Sequence, residues 1–373
     1  MSGQTAEFRT LADLASRPLG GAVVWSNDDF FASAHNLINP GPAAYDPTAF
    51  DARGKVYDGW ETRRRREDPA SGDAHNAAHD AAHDAAHNAA HDAAHHAAHD
   101  EVIVRLAVPG VVRGVLIDTS HFTGNFPPYA SVEATTMLDY PSAEQLRAAA
   151  WTPLLAKSEL AGHAENSFAI FAAEKLSSHV RLRIYPDGGV ARFRVHGEPQ
   201  GDPRFLGGRV DLAATLNGGR ILGCSNRFYS PPSNVLAPGR SSVMSDGWEN
   251  ARRRDDDNDW IEVELAGAGV LHHVVIDTSR FVGNAPGAAM LSDADTGEQL
   301  LPRTRLSPDT EHRFKIGSAT PVRRVRLDVY PDGGISRLRV FGELSAEARA
   351  ELGRRWLGLL PDEAAVGDDE LFD

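Results

Sequence analysis

Short apolar runs with a period of two are the main pattern of this 373-residue chain. Apolar and polar residues alternate in "EVIVRL", "VRGVLIDTS" and "RLRIYPDGGVARFRV", and again in "WIEVEL", "LHHVVIDTS" and "VRRVRLDVYPDGGISRLRV". Because the side chains of a strand point alternately to its two faces, this period predicts β-strands with one buried face. Clusters of Gly, Pro, Asn and Asp separate the runs, which is typical of an antiparallel sandwich or a jelly roll.

Two other local patterns predict turns and one helix. In "YPDGG", Pro restricts φ and Gly tolerates positive φ, so we expect hairpin turns at 186–189 and 331–334. The segment "SAEARAELGRRWLGLL" favours a helix that starts after Ser345 and stops before Pro361. The acidic segment that follows it is expected to be a solvated tail.

Four blocks recur in the same order, which indicates a tandem duplication. "WSNDDFF" is echoed by "CSNRFYS", "VYDGWETRRRRED" by "VMSDGWENARRRDD", "VLIDTSHFTGNFP" by "VVIDTSRFVGNAP", and "RLRIYPDGGVARFRVHGE" by "RLDVYPDGGISRLRVFGE". We therefore expect one β-sandwich at 8–200, a second at 201–343, and a C-terminal helix with its acidic tail at 344–373.

The spacing of the blocks locates an insertion. Asp58 and Asp246 lie 188 positions apart, whereas Asp118 and Asp277 lie 159 apart, so the first copy carries 29 extra residues between these blocks. The His/Ala-rich tract at about 73–99 fills that difference. Histidines four residues apart could share a metal ion on a helix, but their stripe winds around the helix axis and has no large apolar neighbours. We interpret the tract as a surface repeat expansion.

Composition limits the classes of function. The formal net charge of −14 argues against general nucleic-acid binding, because affinity for polyphosphates comes from concentrated Lys and Arg. The single cysteine, Cys224, cannot form an internal disulfide, and no apolar run is long enough to cross a bilayer. The N-terminus lacks a basic start followed by an apolar stretch, so we expect a cytoplasmic protein. Assembly into a homo-oligomer is compatible with the composition, which does not determine the number of subunits.

The motifs "SNDDFF", "DGWETRRRR", "IDTSHFTGNFP" and "YPDGG", each with an echo in a second copy, resemble those of allantoicases (allantoate amidinohydrolases). The resemblance runs from about Phe8 to Glu343 and excludes the His tract. It implies an all-β fold, a tandem repeat of two jelly-roll β-sandwich domains of the galactose-binding-like type. It also implies hydrolysis of allantoate to ureidoglycolate and urea in purine and allantoin degradation. The alternative is a non-catalytic carbohydrate-binding or small-ligand-binding pair of jelly rolls, since fold does not fix function.

Four residues of the first copy are candidate catalytic groups for that reaction. His121 is the first of them, because imidazole titrates near neutrality and can transfer protons. Asp118 lies where an apolar strand runs into a polar loop, and Asp58 and Glu61 belong to "DGWETRRRR", beside a tight Asp-Gly turn. The alternative for Asp118 is an Asx-turn with its own loop, and the alternative for His121 is an ordinary surface residue.

Candidate substrate-binding residues offer a cation, a carboxylate or an amide to the carboxylate and ureido groups of allantoate. They are Arg64, Arg66, Asn125, Asp246, Glu249, Arg252, Asp277 and Asn284. The alternatives are a solvated charge run for the arginines, turns in the left-handed region for the asparagines, and an Asx-turn for Asp277.

Metal binding has only weak support in the sequence. Asp28, Asp29, Asp58, Glu61 and His121 are the available oxygen and nitrogen donors, but their spacing is not that of a compact ligand set. We therefore assign no metal ligand and no certain cofactor, and we leave a divalent ion open. Trp60 and its counterpart Trp248 are expected to be anchors in the core or in a loop.

Overall fold

A computed structural model of the chain describes residues 8–65, 98–172 and 174–361. The predicted insertion lies outside the described residues except for positions 98 and 99, and so do Arg66 and the acidic tail. Among the described residues, no helix combines the length and the apolar character that a membrane span requires.

The first repeat is built almost entirely of strands. Its strands are β1 (Ala12–Asp13), β2 (Ala22–Ser26), β3 (Phe50–Asp51), β4 (Gly54–Lys55), β5 (Trp60–Glu61), β6 (Asp100–Asp118), β7 (Tyr129–Thr135), β8 (Thr152–Glu159), β9 (Glu165–Ala169), β10 (Ser177–Tyr185), β11 (Gly189–Val190) and β12 (Arg192–Pro199). A short helix, α1 (Ala143–Ala148), begins at a capping box in which Ser142 and Gln145 satisfy each other's backbone N–H groups.

The second repeat has the same architecture with fewer small strands. Its elements are β13 (Arg209–Asp211), β14 (Arg220–Cys224), β15 (Asp259–Asp277), β16 (Ala288–Asp293), β17 (Gln299–Arg305), β18 (Glu311–Lys315), β19 (Val322–Tyr330), β20 (Arg337–Leu344) and α2 (Ala346–Leu359). The chain is thus all-β apart from its helices, as the alternating pattern predicts.

A long central strand organises each repeat. In the first repeat the sheet order is β1-β12-β6-β10-β7-β8, and β2 and β9 also pair with β6. In the second repeat the order is β13-β20-β15-β19-β16-β17, and β14 and β18 also pair with β15. The two orders match strand for strand, so the sequence duplication is a duplication of a jelly-roll sandwich.

The insertion leaves this central strand intact. β6 and β15 both have 19 residues, and Glu101 occupies in β6 the position that Trp260 occupies in β15. The sandwich therefore resumes in register immediately after the tract.

Alternation along the central strands builds two separate cores. In β6, Val102, Val104, Val115 and Ile117 are completely buried in the first core. In β15, side chains at the same face contribute to a second core with residues of β19 and β20. Burial of each such side chain contributes about 1.5–3 kcal/mol relative to exposure, so the two apolar clusters stabilise the sandwiches.

The hairpin prediction for "YPDGG" is wrong, although the chain does bend at Pro186. β10, which precedes this segment, pairs with β6 and β7, whereas β12, which follows it, pairs with β6 and β1. Residues 186–188 therefore carry the chain from one end of β6 to the other, and Gly189 then pairs with Glu61. The turn residues determine only the local bend. The pairing partners of β10 and β12 depend on β6, the long strand that lies between them in the sheet.

The C-terminal helix was predicted correctly, and it packs across both repeats. Ser345 caps α2 by accepting a hydrogen bond from the backbone of Ala348. At its far end, Trp356 and Leu359 pack with Val111 and Leu176 of the first repeat. The helix thus fixes one sandwich against the other.

An ion cluster joins the same three parts of the molecule. Glu198, at the end of β12, forms ion pairs with three arginines. They are Arg113 of the first repeat, Arg220 of the second repeat and Arg355 of α2. Burial opposes ionisation of this carboxyl, but the three guanidinium groups outweigh burial and lower the pKa of Glu198.

Candidate active site

Three of the repeated motifs meet at one end of the first sandwich. Thr62, from "DGWETRRRR", donates its backbone N–H to Gly188 of "YPDGG" at 3.2 Å. The next residue, Gly189, donates its backbone N–H to Asn125 of "IDTSHFTGN" at 2.7 Å. Segments far apart in the sequence thus form one loop cluster, which we call the first-repeat site.

Glycine is required where the motifs cross. A Cβ on Gly189 would overlap the ring of Phe122, which is completely buried. Gly188 has φ of 143°, and a Cβ there would lie 2.8 Å from the carbonyl oxygen of Asn125. Only a residue without a side chain allows this approach and this backbone conformation.

Asp58 is fully engaged by a buried arginine. Arg192 is 3% exposed, and its guanidinium contacts Oδ1 and Oδ2 of Asp58 at 3.1 and 2.6 Å. Oδ2 also accepts the backbone N–H of Ala44 at 2.8 Å. Burial opposes ionisation, but these hydrogen bonds outweigh it and lower the pKa of Asp58. The carboxylate therefore holds the 41–46 loop.

Glu61 is the carboxyl group of the cluster that is suited to carry a proton. It is partly buried at the end of β5, and Asn125 donates its side-chain N–H to Oε1 at 2.7 Å. Burial raises the pKa of Glu61, and the hydrogen bond from Asn125 opposes this rise only in part. The phenol of Tyr57 lies beside the pair, and burial, followed by the charge of Glu61, raises the pKa of Tyr57.

His121 is held in a defined position by two rings. Its imidazole stacks on Tyr45, with ring centroids 4.7 Å apart and an interplanar angle of 8°. Its backbone has φ of 72°, and its N–H donates to Nδ1 of His163 at 2.8 Å. Because Nδ1 of His163 accepts this bond, the neutral ring of His163 carries its proton on Nε2.

Asp118 and Asp277 occupy equivalent places at the ends of the central strands. Oδ1 of Asp118 accepts the backbone N–H of Ser120 at 2.8 Å, and Oδ1 of Asp277 accepts that of Ser279 at 2.8 Å. Both aspartates are buried. These contacts are those of the Asx-turn, the alternative that the sequence left open for both residues.

The arginine run does not act as a unit. Arg63 pairs with Asp28, and Arg65 pairs with Asp100. Arg64 is exposed, and within the described residues its guanidinium is not taken by a carboxylate. Of the three arginines of the run that the structure describes, Arg64 therefore has a side chain available for a ligand.

The second repeat repeats part of this arrangement. Asn284 donates to Glu249 at 2.6 Å, just as Asn125 does to Glu61. Oδ2 of Asp246 accepts N–H groups of Ser242 and Val243 instead of binding a guanidinium, and the exposed Arg252 corresponds to Arg64. The predicted substrate-binding residues Asp246, Glu249, Arg252 and Asn284 thus lie in one loop cluster, which we call the second-repeat site, whereas the carboxylate of Asp277 is bound by its own loop.

Sequence reasoning missed Tyr45, Tyr57, His163 and Arg192. Arg192 could have been found, because an arginine follows "YPDGG" at the same distance in both copies. Tyr57 stands where the second copy has Ser245, so a comparison of the copies would have marked it. Tyr45 and His163 lie outside the repeated blocks, and only the fold brings them to His121.

The donors that the sequence offered for a metal do not form a ligand set. Among residues 8–65, 98–172 and 174–361, no group of three or more His, Cys, Asp or Glu side chains is arranged to hold a metal ion. Asp58 is occupied by Arg192, and the carboxylate of Asp28 accepts from Arg63.

The indole N–H groups of Trp60 and Trp248 donate to carbonyls of Asp28 and Asn226, which confirms both tryptophans as buried anchors.

Comparison with known proteins agrees with the duplication. A family model described as "Allantoicase repeat" matches residues 12–200 and 210–345. The chain belongs to the allantoicase family. A probable allantoicase of Nocardia farcinica is 48% identical over 343 residues, which cover 90% of this chain and 95% of the relative. One from Streptomyces coelicolor is 44% identical over 93% of this chain and 89% of its own length.

Solved structures of the family have the same fold. One allantoicase structure has a TM-score of 0.72 at 30% identity and covers 90% of this chain and 97% of its own. The crystal structure of allantoicase from Saccharomyces cerevisiae has a TM-score of 0.73 at 30% identity, with 92% and 98% covered. These matches confirm the tandem jelly-roll fold and do not favour the alternative, a non-catalytic carbohydrate-binding protein.

Proposed function

We propose that this protein is an allantoicase, which hydrolyses allantoate to ureidoglycolate and urea in purine degradation. Membership of the allantoicase family supports the reaction. In this molecule, the proposal rests on the partly buried Glu61. Its carboxyl group accepts a hydrogen bond from the amide of Asn125, in the loop cluster that also contains His121. Such a carboxyl can donate a proton to a leaving nitrogen.

Recognition of allantoate requires a cation and amide-pairing groups. Its carboxylate suits the guanidinium of Arg64, which no described carboxylate occupies. Asn125 uses its N–H on Glu61, and its side-chain carbonyl is an acceptor for a ureido N–H. We assign substrate binding to these two residues and to the outer part of the loop cluster.

The reaction replaces one ureido group on the central carbon by a hydroxyl. Glu61 donates a proton to the leaving nitrogen, the C–N bond breaks, and the bonding electrons leave with urea. The nitrogen of the remaining ureido group forms a C=N bond and releases its N–H proton to His121. Water then adds to the carbon and gives a proton to Glu61, while His121 returns its proton to nitrogen. Both groups end in their starting states.

Asp58 and Asp118 have a different role in this proposal. The two oxygens of Asp58 are occupied by Arg192 and Ala44, and Asp118 accepts from its own loop. Because the guanidinium of Arg192 stabilises the ionised form of Asp58, this carboxylate is a poor proton donor, and the side chain of Asp118 is engaged in its own turn. We therefore assign both aspartates to holding the loops that carry the catalytic residues.

A Glu61→Gln variant tests the assignment. Gln keeps an oxygen acceptor for Asn125 but cannot transfer the proton, so kcat for urea release should fall by about 10²–10⁴-fold with little change in KM. Glu174→Gln, which changes an exposed glutamate paired with Arg113, is the control. Unchanged kcat in the Glu61 variant would remove this residue from the chemistry.

Two assays test the reaction itself. The purified protein should release urea from allantoate, and failure to do so would reject the proposed function. In labelled water, solvent oxygen should enter ureidoglycolate and not urea; label in urea would reject the route through C–N cleavage. Running the first assay with and without a chelator decides whether a divalent ion takes part.

The remaining features of the proposal concern the protein as a whole. We propose boundaries at 8–200, 201–343 and 344–373, which the matched family repeats support. We also propose a cytoplasmic location and assembly as a homo-oligomer that binds neither nucleic acid nor membrane. The formal net charge of −14 supports the absence of nucleic-acid binding. Light scattering of the purified protein measures the assembly.

A further inference from the structure

The second-repeat site keeps the frame of the first-repeat site. The side-chain N–H of Asn284 donates to Glu249 at 2.6 Å, and the backbone carbonyl oxygen of Asn284 accepts the N–H of Gly334 at 2.8 Å. The corresponding distances around Asn125 are 2.7 and 2.7 Å. A carboxylate and an amide are thus presented in the same way at the ends of both sandwiches.

The charge at the centre of the second-repeat site differs. Arg280 stands in the place of His121, with φ of 74° against 72°, and its backbone N–H donates to Asp309 at 2.8 Å as that of His121 donates to His163. Its side chain is exposed. Its guanidinium donates to the carbonyl of Ser241 at 3.4 Å and forms no ion pair with any carboxylate of the described residues.

The carboxyl group of Glu61 has its counterpart in Glu249, but the imidazole of His121 and its neighbours are replaced. The position of His121 is held by Arg280, which stays charged at all physiological pH values, and that of Tyr57 by Ser245. The neighbouring His163 is replaced by Asp309. The second-repeat site thus keeps hydrogen-bonding groups for a ureide and adds a permanent cation, but it lacks the imidazole.

We propose that the second repeat holds a second binding site for allantoate, which binds the ureide without splitting it. This inference rests on the proposed function. Arg280 binds the carboxylate of the ligand, while Glu249 accepts a ureido N–H and the side-chain carbonyl of Asn284 accepts another. A permanent cation favours binding of the anion, and the absence of imidazole at this position prevents the proton exchange that the first-repeat site performs.

Calorimetric titration of allantoate into the full-length Glu61→Gln variant tests this site, because that variant binds substrate without rapid turnover. We expect a further Arg280→Gln change to remove one equivalent of bound allantoate per chain. Arg280→Lys is the matched control, since it keeps the charge and the equivalent should remain. Glu249→Gln in the same background should weaken the same equivalent at least tenfold. Thermal unfolding of each variant checks that the second sandwich is intact.

The outcomes separate this inference from the proposed function. If wild-type protein splits allantoate and Arg280→Gln leaves the number of bound equivalents unchanged, the second site does not exist and Glu249 and Asn284 only brace their loops. If the equivalent is lost with Gln and kept with Lys, the site is established. Absence of both hydrolysis and binding in the wild-type protein would instead reject the proposed function.

Discussion

Replacement of Asp58 by Asn should destabilise the first repeat through Arg192. In the native protein the guanidinium of Arg192 is 3% exposed and contacts both carboxylate oxygens, at 3.1 and 2.6 Å. Asn offers one acceptor in place of two, and its amide N–H₂ faces the guanidinium or the N–H of Ala44, which are also donors. The change therefore leaves a buried cation incompletely paired.

The expected cost follows from the contacts that remain. Breaking a buried ion pair costs about 3–5 kcal/mol, and a hydrogen bond to a charged group contributes about 1.5–3 kcal/mol. Arg192 keeps the carbonyl oxygens of Gly41, Pro42, Asp58 and Ala191, and residue 58 is partly exposed. We therefore expect a loss of roughly 2–3 kcal/mol. For a unit of this size, that loss lowers the melting temperature by roughly 4–12 °C.

The stability lost on Asp58→Asn should decrease as pH falls. Because the pKa of Asp58 is lowered in the folded protein, its contribution is fully present above the pKa of an unfolded aspartate, about 3.9. It is lost as pH falls through the lower pKa of the folded state. The stability of the variant and that of the wild type should thus differ fully at pH 6 and converge as pH falls below about 4.

Urea denaturation at several pH values measures this difference. Asp246→Asn is the comparison in the second repeat, where the carboxylate accepts N–H groups of Ser242 and Val243 but binds no guanidinium. Its stability loss should be smaller than that of Asp58→Asn. A difference for Asp58→Asn that is below 1 kcal/mol, or that does not change with pH, would refute the argument that this ion pair holds the loop.

Three further changes test the packing of the site and the joint between the repeats. Gly189→Ala should reduce folded yield and melting temperature in thermal denaturation, because its Cβ would overlap Phe122; an unchanged melting temperature would contradict this. Trp60→Phe should cost at least about 1 kcal/mol in chemical denaturation, the value of the lost indole hydrogen bond to Asp28, and no cost would show that the bond is dispensable. Glu198→Gln should cost roughly 1–2 kcal/mol at neutral pH and less as pH falls through the lowered pKa of this glutamate; equal loss at low pH would exclude the charge as its cause.

The sequence by itself determined the architecture. Period-two alternation is a local property, so it predicted strands, and the two ordered sets of motifs predicted two matching sandwiches. Ser345 and Pro361 marked the ends of the C-terminal helix for the same local reason. The insertion could be located because an extra segment in one copy changes spacing without changing the flanking blocks.

Only the tertiary structure decided which side chains meet. The partner of Asp58 is Arg192, 134 positions away, and the ring that stacks on His121 belongs to Tyr45, which no repeated motif contains. The predicted hairpin at "YPDGG" was wrong because the turn residues determine a local bend, whereas the tertiary fold places β6 between the two strands that the turn connects. Burial likewise separates Glu61 from Asp58, since desolvation and a guanidinium act on a carboxyl through neighbours that the chain brings from a distance.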